Sequence, residues 1–172
     1  MGPAGDRTAP GTALAPVRFH LCAVGQRVPA WVDAGFQEYA GRLRGQHRLE
    51  LTTVPAADRK NQRGVGAWQT WEAARLRAAA PTGTAVVLDE RGRSLTTKAL
   101  AARLEHWAAP GAPVVFFVGG ADGLDPALKA EAVDAWSLSP LTLPHAMVRV
   151  VLAEALYRAI SLLEGHPYHR GE

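Results

Sequence analysis

The chain contains one cysteine, Cys22, inside an apolar run. A single thiol cannot build a disulfide framework, so the composition fits a reducing cytoplasm, and the residue reads as a small buried hydrophobe. No stretch reaches the roughly 18–20 consecutive apolar residues of a membrane span, because the longest apolar segment is broken by Arg149, Glu154 and Arg158. A leader peptide is not expected either: residues 1–16, MGPAGDRTAPGTALAP, lack an apolar core and read as a disordered extension, leaving 17–172 as one domain. There is no GxSxG near a triad, no phosphate-binding GKS or GKT, and no base beside Cys22, so hydrolase and kinase chemistry have no support. Metal binding is not expected either. Pro167 bars a helical pairing of His166 with His169, and neither they nor His145 have a carboxylate or thiol nearby to complete a ligand set.

What is present is a soluble balance of 48% apolar and 20% charged residues over 172 positions, enough for one real core. Apolar or alternating β-rich runs predict strands at 17–24, 49–54, 84–89, 113–118 and 134–138. Helical spacing is found over 30–43 and 68–80 and in the segment that Thr96 or Thr97 caps. It returns in a short helix capped by Asp125, and from Pro144 to about Leu163. Strands alternating with helices predict an α/β fold with a mainly parallel sheet flanked by helices. In such sheets ligands gather beyond the carboxyl ends of strands, which singles out three loops: Leu88–Asp89, Gly119–Gly123 and Leu138–Pro144. Gly119, Gly120 and Gly123 resemble a dinucleotide fingerprint, but the spacing is GGxxG and no ribose-binding acid follows on a suitable strand.

Around the last helix, Glu154, Arg158 and Ser161 share a narrow polar sector, and Met147, Val148, Val150, Val151, Leu152, Leu156, Ile160, Leu162 and Leu163 cover nearly all the rest. So wide an apolar circumference predicts burial by the sheet and by a second body, such as another subunit. Arg149 falls outside the polar sector, on the same edge as His145. Near a helix start the two could form an anion or oxyanion site. The alternative is that Arg149 pairs with a carboxylate elsewhere in the fold while His145 is a satisfied half-buried histidine. The net charge of +3 is uneven: Arg42, Arg44, Arg48, Arg59, Lys60 and Arg63 face only Glu50 and Asp58 in that stretch. Such a cluster suits a phosphate backbone or is simply a solvated surface.

The segments HLCAVGQRVPAWVDAGFQEYAGRL, VVLDERGR, FFVGGADGL, WSLSPLTLPHAMVRVVLAEALYRA and HPYHR, in that order, closely resemble the bacterial large-subunit ribosomal RNA pseudouridine N3-methyltransferases of the SPOUT superfamily. The resemblance spans Arg18 to Arg170. It implies a C-terminal trefoil knot, a homodimer, S-adenosylmethionine as methyl donor and ribosomal RNA on assembled ribosomes as substrate. Carried over residue by residue, it places cofactor contacts on Leu88, Gly119, Leu138, Ser139, Pro140, Leu141, Thr142 and Leu143. It also places Tyr168, His169 and Arg170 on the catalytic surface, completed across the dimer. Methyl transfer to a ring nitrogen needs positioning and loss of the imide proton. His145 or His169 could relay that proton, and Arg149 or Arg170 could hold a phosphate or a developing oxyanion. A catalytically silent RNA-binding or ribosome-associated protein on the same scaffold is the alternative. The sequence departs from the family in its first sixteen residues and over Ala57–Trp71.

Overall fold

A computed structural model describes residues 15–43, 45–60, 64–108 and 111–170, with the backbone alone at 169 and 170. The elements alternate as expected: β1 (Arg18–Val24), α1 (Ala30–Arg42), β2 (Arg48–Val54), α2 (Val65–Ala79), β3 (Thr84–Ser94), α3 (Thr97–Trp107), β4 (Val114–Val118), α4 (Pro126–Glu131), β5 (Asp134–Ser137) and α5 (His145–Leu163). A 3-10 turn, Pro167–Arg170, follows. The expected N-terminal extension lies, as far as residue 14, outside the described residues.

The five strands form one sheet in the order β2-β1-β4-β3-β5, and every pairing is parallel. The side-chain period of two divides the central strands between two cores. Phe19, Leu21 and Ala23 of β1 and Val114, Phe116 and Val118 of β4 point to one face, where α1, α3 and α5 contribute Phe36, Leu104, Trp107, Leu152 and Leu156. Cys22, Val24, Val115 and Phe117 point to the other, against Ala73 and Leu76 of α2 and Leu128 of α4. β4 is buried at every position, which is why its sequence, VVFFV, is apolar without alternation. Cys22 is fully buried, and burial pushes its thiol up to about 11.

Several boundaries differ from expectation for local reasons. β3 does not end at Asp89. It leaves the ladder after Leu88 and rejoins β5 at Arg93, so that both residues pair with Trp136 and residues 89–92 bulge outward. At Gly92 the β5 backbone comes so close that an added Cβ would lie 2.7 Å from the carbonyl carbons of Ala135 and Trp136. α2 starts three residues before Trp68, at Val65. Pro144 is the N-cap of α5 and not its first helical residue, its ψ of 135° being extended. The far end of α5 closes in a Schellman arrangement: Gly165, at φ +69°, donates to the Leu162 carbonyl and His166 to that of Ser161. Ser161, placed on the polar sector by its spacing, is buried beneath this turn.

His47 ties the entry of the sheet to this helix end. It is buried, accepts the Val17 N–H at 3.3 Å, and sets Nε2 3.4 Å from the Glu164 carboxylate. Burial lowers its pKa, with Glu164 opposing.

Candidate active site

The three loops chosen from strand ends enclose one cavity of about 630 Å³ at the carboxyl edge of the sheet. Leu88 and the bulge Asp89–Arg91 form one wall, Gly119–Leu124 a second, and Ser137–Ser139 with Leu141–His145 a third. Seven of the eight residues expected to contact cofactor line it: Leu88, Gly119, Leu138, Ser139, Leu141, Thr142 and Leu143. Pro140 does not. The size is that of a drug- or cofactor-sized ligand, and the lining joins apolar side chains such as Leu138, Leu141 and Leu143 to polar and charged ones, among them Gln69, Asp122, Lys129 and Thr142.

Backbone shape dominates here. A Cβ at Gly119 would lie 2.6 Å from the Gly123 carbonyl carbon and 2.7 Å from its oxygen, so the turn closes only around a glycine. Gly123 stands at φ +80° and its N–H reaches the Gly120 carbonyl at 3.1 Å. Across the cavity, the Ser137 hydroxyl donates to the Ser139 carbonyl at 3.0 Å, and the Ser139 hydroxyl accepts the Leu141 N–H at 2.9 Å. These bonds hold the loop open while Leu141 remains 75% exposed at its rim, an apolar side chain available to a ligand. α5 begins at this wall, and no side chain caps its first turn.

Sequence reasoning reached one of two charged residues that pair on this surface and missed the other. Asp89 of the bulge, only 10% exposed, pairs with Lys129 of α4 and accepts the Arg91 N–H at 2.9 Å. Burial pushes the Asp89 carboxyl upward, but the Lys129 ammonium and the Arg91 N–H outweigh it and hold it below its ordinary value. The strand-end rule pointed to Asp89. Lys129 carries no comparable signal, being one of two ordinary lysine positions on solvated helices with Lys98.

Of the described residues expected to be catalytic, His145 and Arg149 meet beside Gly25, whereas Tyr168 does not join them. His145, the first residue of α5, is exposed and lines the cavity. Of the two readings of Arg149, the structure favours the one in which the fold itself satisfies it, through a carbonyl and not the expected carboxylate. Arg149 is 1% exposed, turned inward, and donates from Nη2 to the Gly25 carbonyl. Burial lowers its pKa, opposed by Asp33 of α1. Gly25 stands at φ +100°, where a side chain would be strained, and the site of its missing Cβ lies 3.5 Å from Nε2 of His145 and 3.8 Å from Nη2 of Arg149. Arg149 thus braces the strand end beside which His145 stands. Tyr168 lies elsewhere: its hydroxyl meets Glu154 at 3.3 Å and its ring packs edge-on at 4.6 Å against Tyr157. Glu154 is nine residues after His145, about 14 Å along the helix axis. Burial, a hydrogen bond with Tyr39 and the charge of Glu154 push the Tyr168 phenol up to about 12, Arg158 opposing. The side chains of His169 and Arg170 lie outside the described residues.

The basic stretch is also divided. Arg42 and Arg48 lie at the amino end of β2, Arg42 held by Glu38 at 2.6 Å, whereas Arg59 and Lys60 follow its carboxyl end. The seven residues of β2 separate them by about 23 Å. Arg44 and Arg63 are outside the described residues. Among those described, no group of three or more His, Cys, Asp and Glu could hold a metal, and no helix is long and apolar enough to cross a membrane.

An all-parallel α/β sheet whose strand-end loops enclose a ligand-sized cavity defines a nucleotide- or cofactor-binding α/β protein. Residues 17–169 match the family described as "Predicted SPOUT methyltransferase", and the chain belongs to that family. The chain is similar to the protein named Ribosomal RNA large subunit methyltransferase H from Ralstonia pickettii (strain 12J), 50% identical over 87% of this chain and 97% of that one. It is similar to the protein of the same name from Thioalkalivibrio sulfidiphilus (strain HL-EbGR7), 49% identical over 90% of this chain and 99% of the relative.

Proposed function

We propose that this protein binds S-adenosylmethionine in the strand-end cavity and methylates N3 of a pseudouridine in large-subunit ribosomal RNA on assembled ribosomes in the cytoplasm. The observation that carries the reading is the convergence of Leu88, Gly119 and the 138–143 loop on one cavity. Relatives about half identical over nearly their whole length, and named for ribosomal RNA large-subunit methylation, support the choice of substrate.

The cavity suits such a cofactor chemically. Gly119 lets the 119–123 turn close tightly at the cavity wall, Leu138, Leu141 and Leu143 supply apolar cover, and the Asp89–Lys129 pair offers both signs of charge to an amino acid moiety. Bound there, S-adenosylmethionine supplies an electrophilic methyl group on a sulfonium. The chain's own task is then to position the base and accept its imide proton. His145 stands at the cavity wall with its ring exposed and is the described residue best placed to relay that proton.

Tyr168, His169 and Arg170 serve the reaction from a second subunit in this reading. Two observations support the homodimer: the tail docks away from its own cavity, and α1 leaves Trp31 56% exposed beside α5. The 138–144 segment, leading from β5 into the start of α5, is where the C-terminal knot of this family would thread.

S-adenosylmethionine at saturation raises the melting temperature by preferential binding to the native state, equally with and without chelator. No shift overturns the proposal. Labelled methyl transfer is expected to intact large-subunit particles and to be poor on naked stem-loops at matched ionic strength. Equal transfer to both removes the ribosome from the reading.

A further inference from the structure

We propose that Trp68 and Trp71, each paired with an arginine, form a stacking platform for unpaired RNA bases at the rim of the cavity. The proposal rests on the RNA-methyltransferase reading for its choice of ligand and adds a contact surface to it.

The two tryptophans are three residues apart on α2 and therefore share one flank of the helix. The buried face of α2 is made by Glu72, Ala73 and Leu76, whereas both indoles are only half-buried. Each ring carries a guanidinium: the Arg75 carbon is 3.3 Å from the centroid of Trp71 and the Arg59 carbon 5.1 Å from that of Trp68. Planar cations and indoles at the surface are the two side-chain types on which unstacked bases pile, because every base presents a π-face.

Position separates this pair from ordinary surface packing. Arg59 donates to the Asp122 carboxylate at 2.6 Å and Gln69 to the Asp122 backbone carbonyl at 2.7 Å. Asp122 and Gln69 both line the cavity, so the Trp68–Arg59 half of the platform is latched to the glycine loop, and the Trp71–Arg75 half continues from it along α2. Glu72 fixes the preceding loop from below by accepting the Ala57 N–H at 2.9 Å. A site for phosphate alone would need charge and no indole, and its binding would be blind to bases and lost with salt. Here Arg59 and Lys60 can meet phosphate while the rings hold nucleotides flanking the target base. The platform therefore selects RNA that is already unpaired.

The test compares fluorescence anisotropy of a labelled single-stranded decauridylate and of an abasic strand with the same number of phosphates, bound to the full chain at fixed salt. The base-bearing strand is expected to bind about tenfold more tightly. Trp71→Ala and Arg75→Ala should each erase most of that preference, and Trp71→Phe should retain it. S-adenosylmethionine affinity, measured by calorimetry, should not change in any of them. Arg75 is exposed, so Arg75→Ala keeps the test informative if Trp71→Ala fails to fold. Equal affinity of the wild-type protein for the two strands overturns the platform, as does a preference that survives both alanine variants. Loss of binding only to an RNA-free ribosomal-protein fraction overturns it in favour of a protein-docking face. A wild-type protein that prefers bases yet binds no S-adenosylmethionine upholds the platform and removes the methyltransferase reading.

Discussion

The two ends of α5 are built on opposite principles. At His145 the surroundings are backbone: Gly25, Gly119, Gly123 and the 138–144 loop, with carbonyls and N–H groups setting the shape. From the middle of the helix onward everything is side chain. Tyr39, Arg42, Tyr157, Arg158 and Tyr168 form a cluster of rings and guanidinium groups around Glu154, with Arg158 donating to it at 2.6 Å. The first end should be intolerant of added volume and indifferent to charge-conserving changes. The second should tolerate the loss of single groups, because its contacts are shared and partly exposed.

The largest effect is expected from Gly119→Val, which has no space beside Gly123. S-adenosylmethionine binding, read by calorimetry, should fall beyond detection while circular dichroism reports a folded chain. Normal binding would show that this end yields to volume after all. Next comes Arg149→Ala, which removes the buried brace on Gly25. A cost of about 3 kcal/mol in urea denaturation is expected, the size typical of breaking a buried charged contact.

A pH effect separates the two ends further. His47 has its folded pKa lowered by burial, so the unfolded chain takes up the proton first as pH falls. Its contribution to stability is present above the ordinary histidine pKa of about 6.5 and is lost as pH drops below it. His47→Gln should flatten the stability profile in that window. An unchanged slope would assign it to another group. The smallest effect is expected from Tyr168→Phe, which deletes the part-buried hydroxyl's hydrogen bonds with Glu154 and Tyr39 and should cost roughly 0.5–1.5 kcal/mol. Methyl transfer should fall further than stability if the tail serves a second subunit's cavity.

Much of the fold was legible because it depends on local pattern. VVFFV announced a strand buried on both faces, Asp125 announced its helix by accepting from Ala127 and Leu128, and Glu154 with Arg158 announced a helical pair. Three strand ends were enough to indicate the cavity. What escaped depended on distant backbone. The Asp89–Lys129 pair joins residues from β3 and α4 that no spacing connects. Arg149 found a carbonyl, a partner that every residue carries and no sequence marks. Proximity along the chain misled once: Arg42 and Arg59 look like one cluster on paper, but a whole strand lies between them.

The all-parallel order of the sheet also governs how the chain can acquire its structure during synthesis. β4 sits at the centre, pairing with β1 on one side and β3 on the other. Phe19 waits for Val114, roughly a hundred residues later, before its strand gains a second neighbour. Until β4 leaves the ribosome, β1 and β3 each present an apolar, unpaired edge, and no hairpin can cover them. A nascent chain of this protein is therefore most vulnerable to misassociation when about two-thirds of it has been made, and a pause before Val114 would lengthen that exposure.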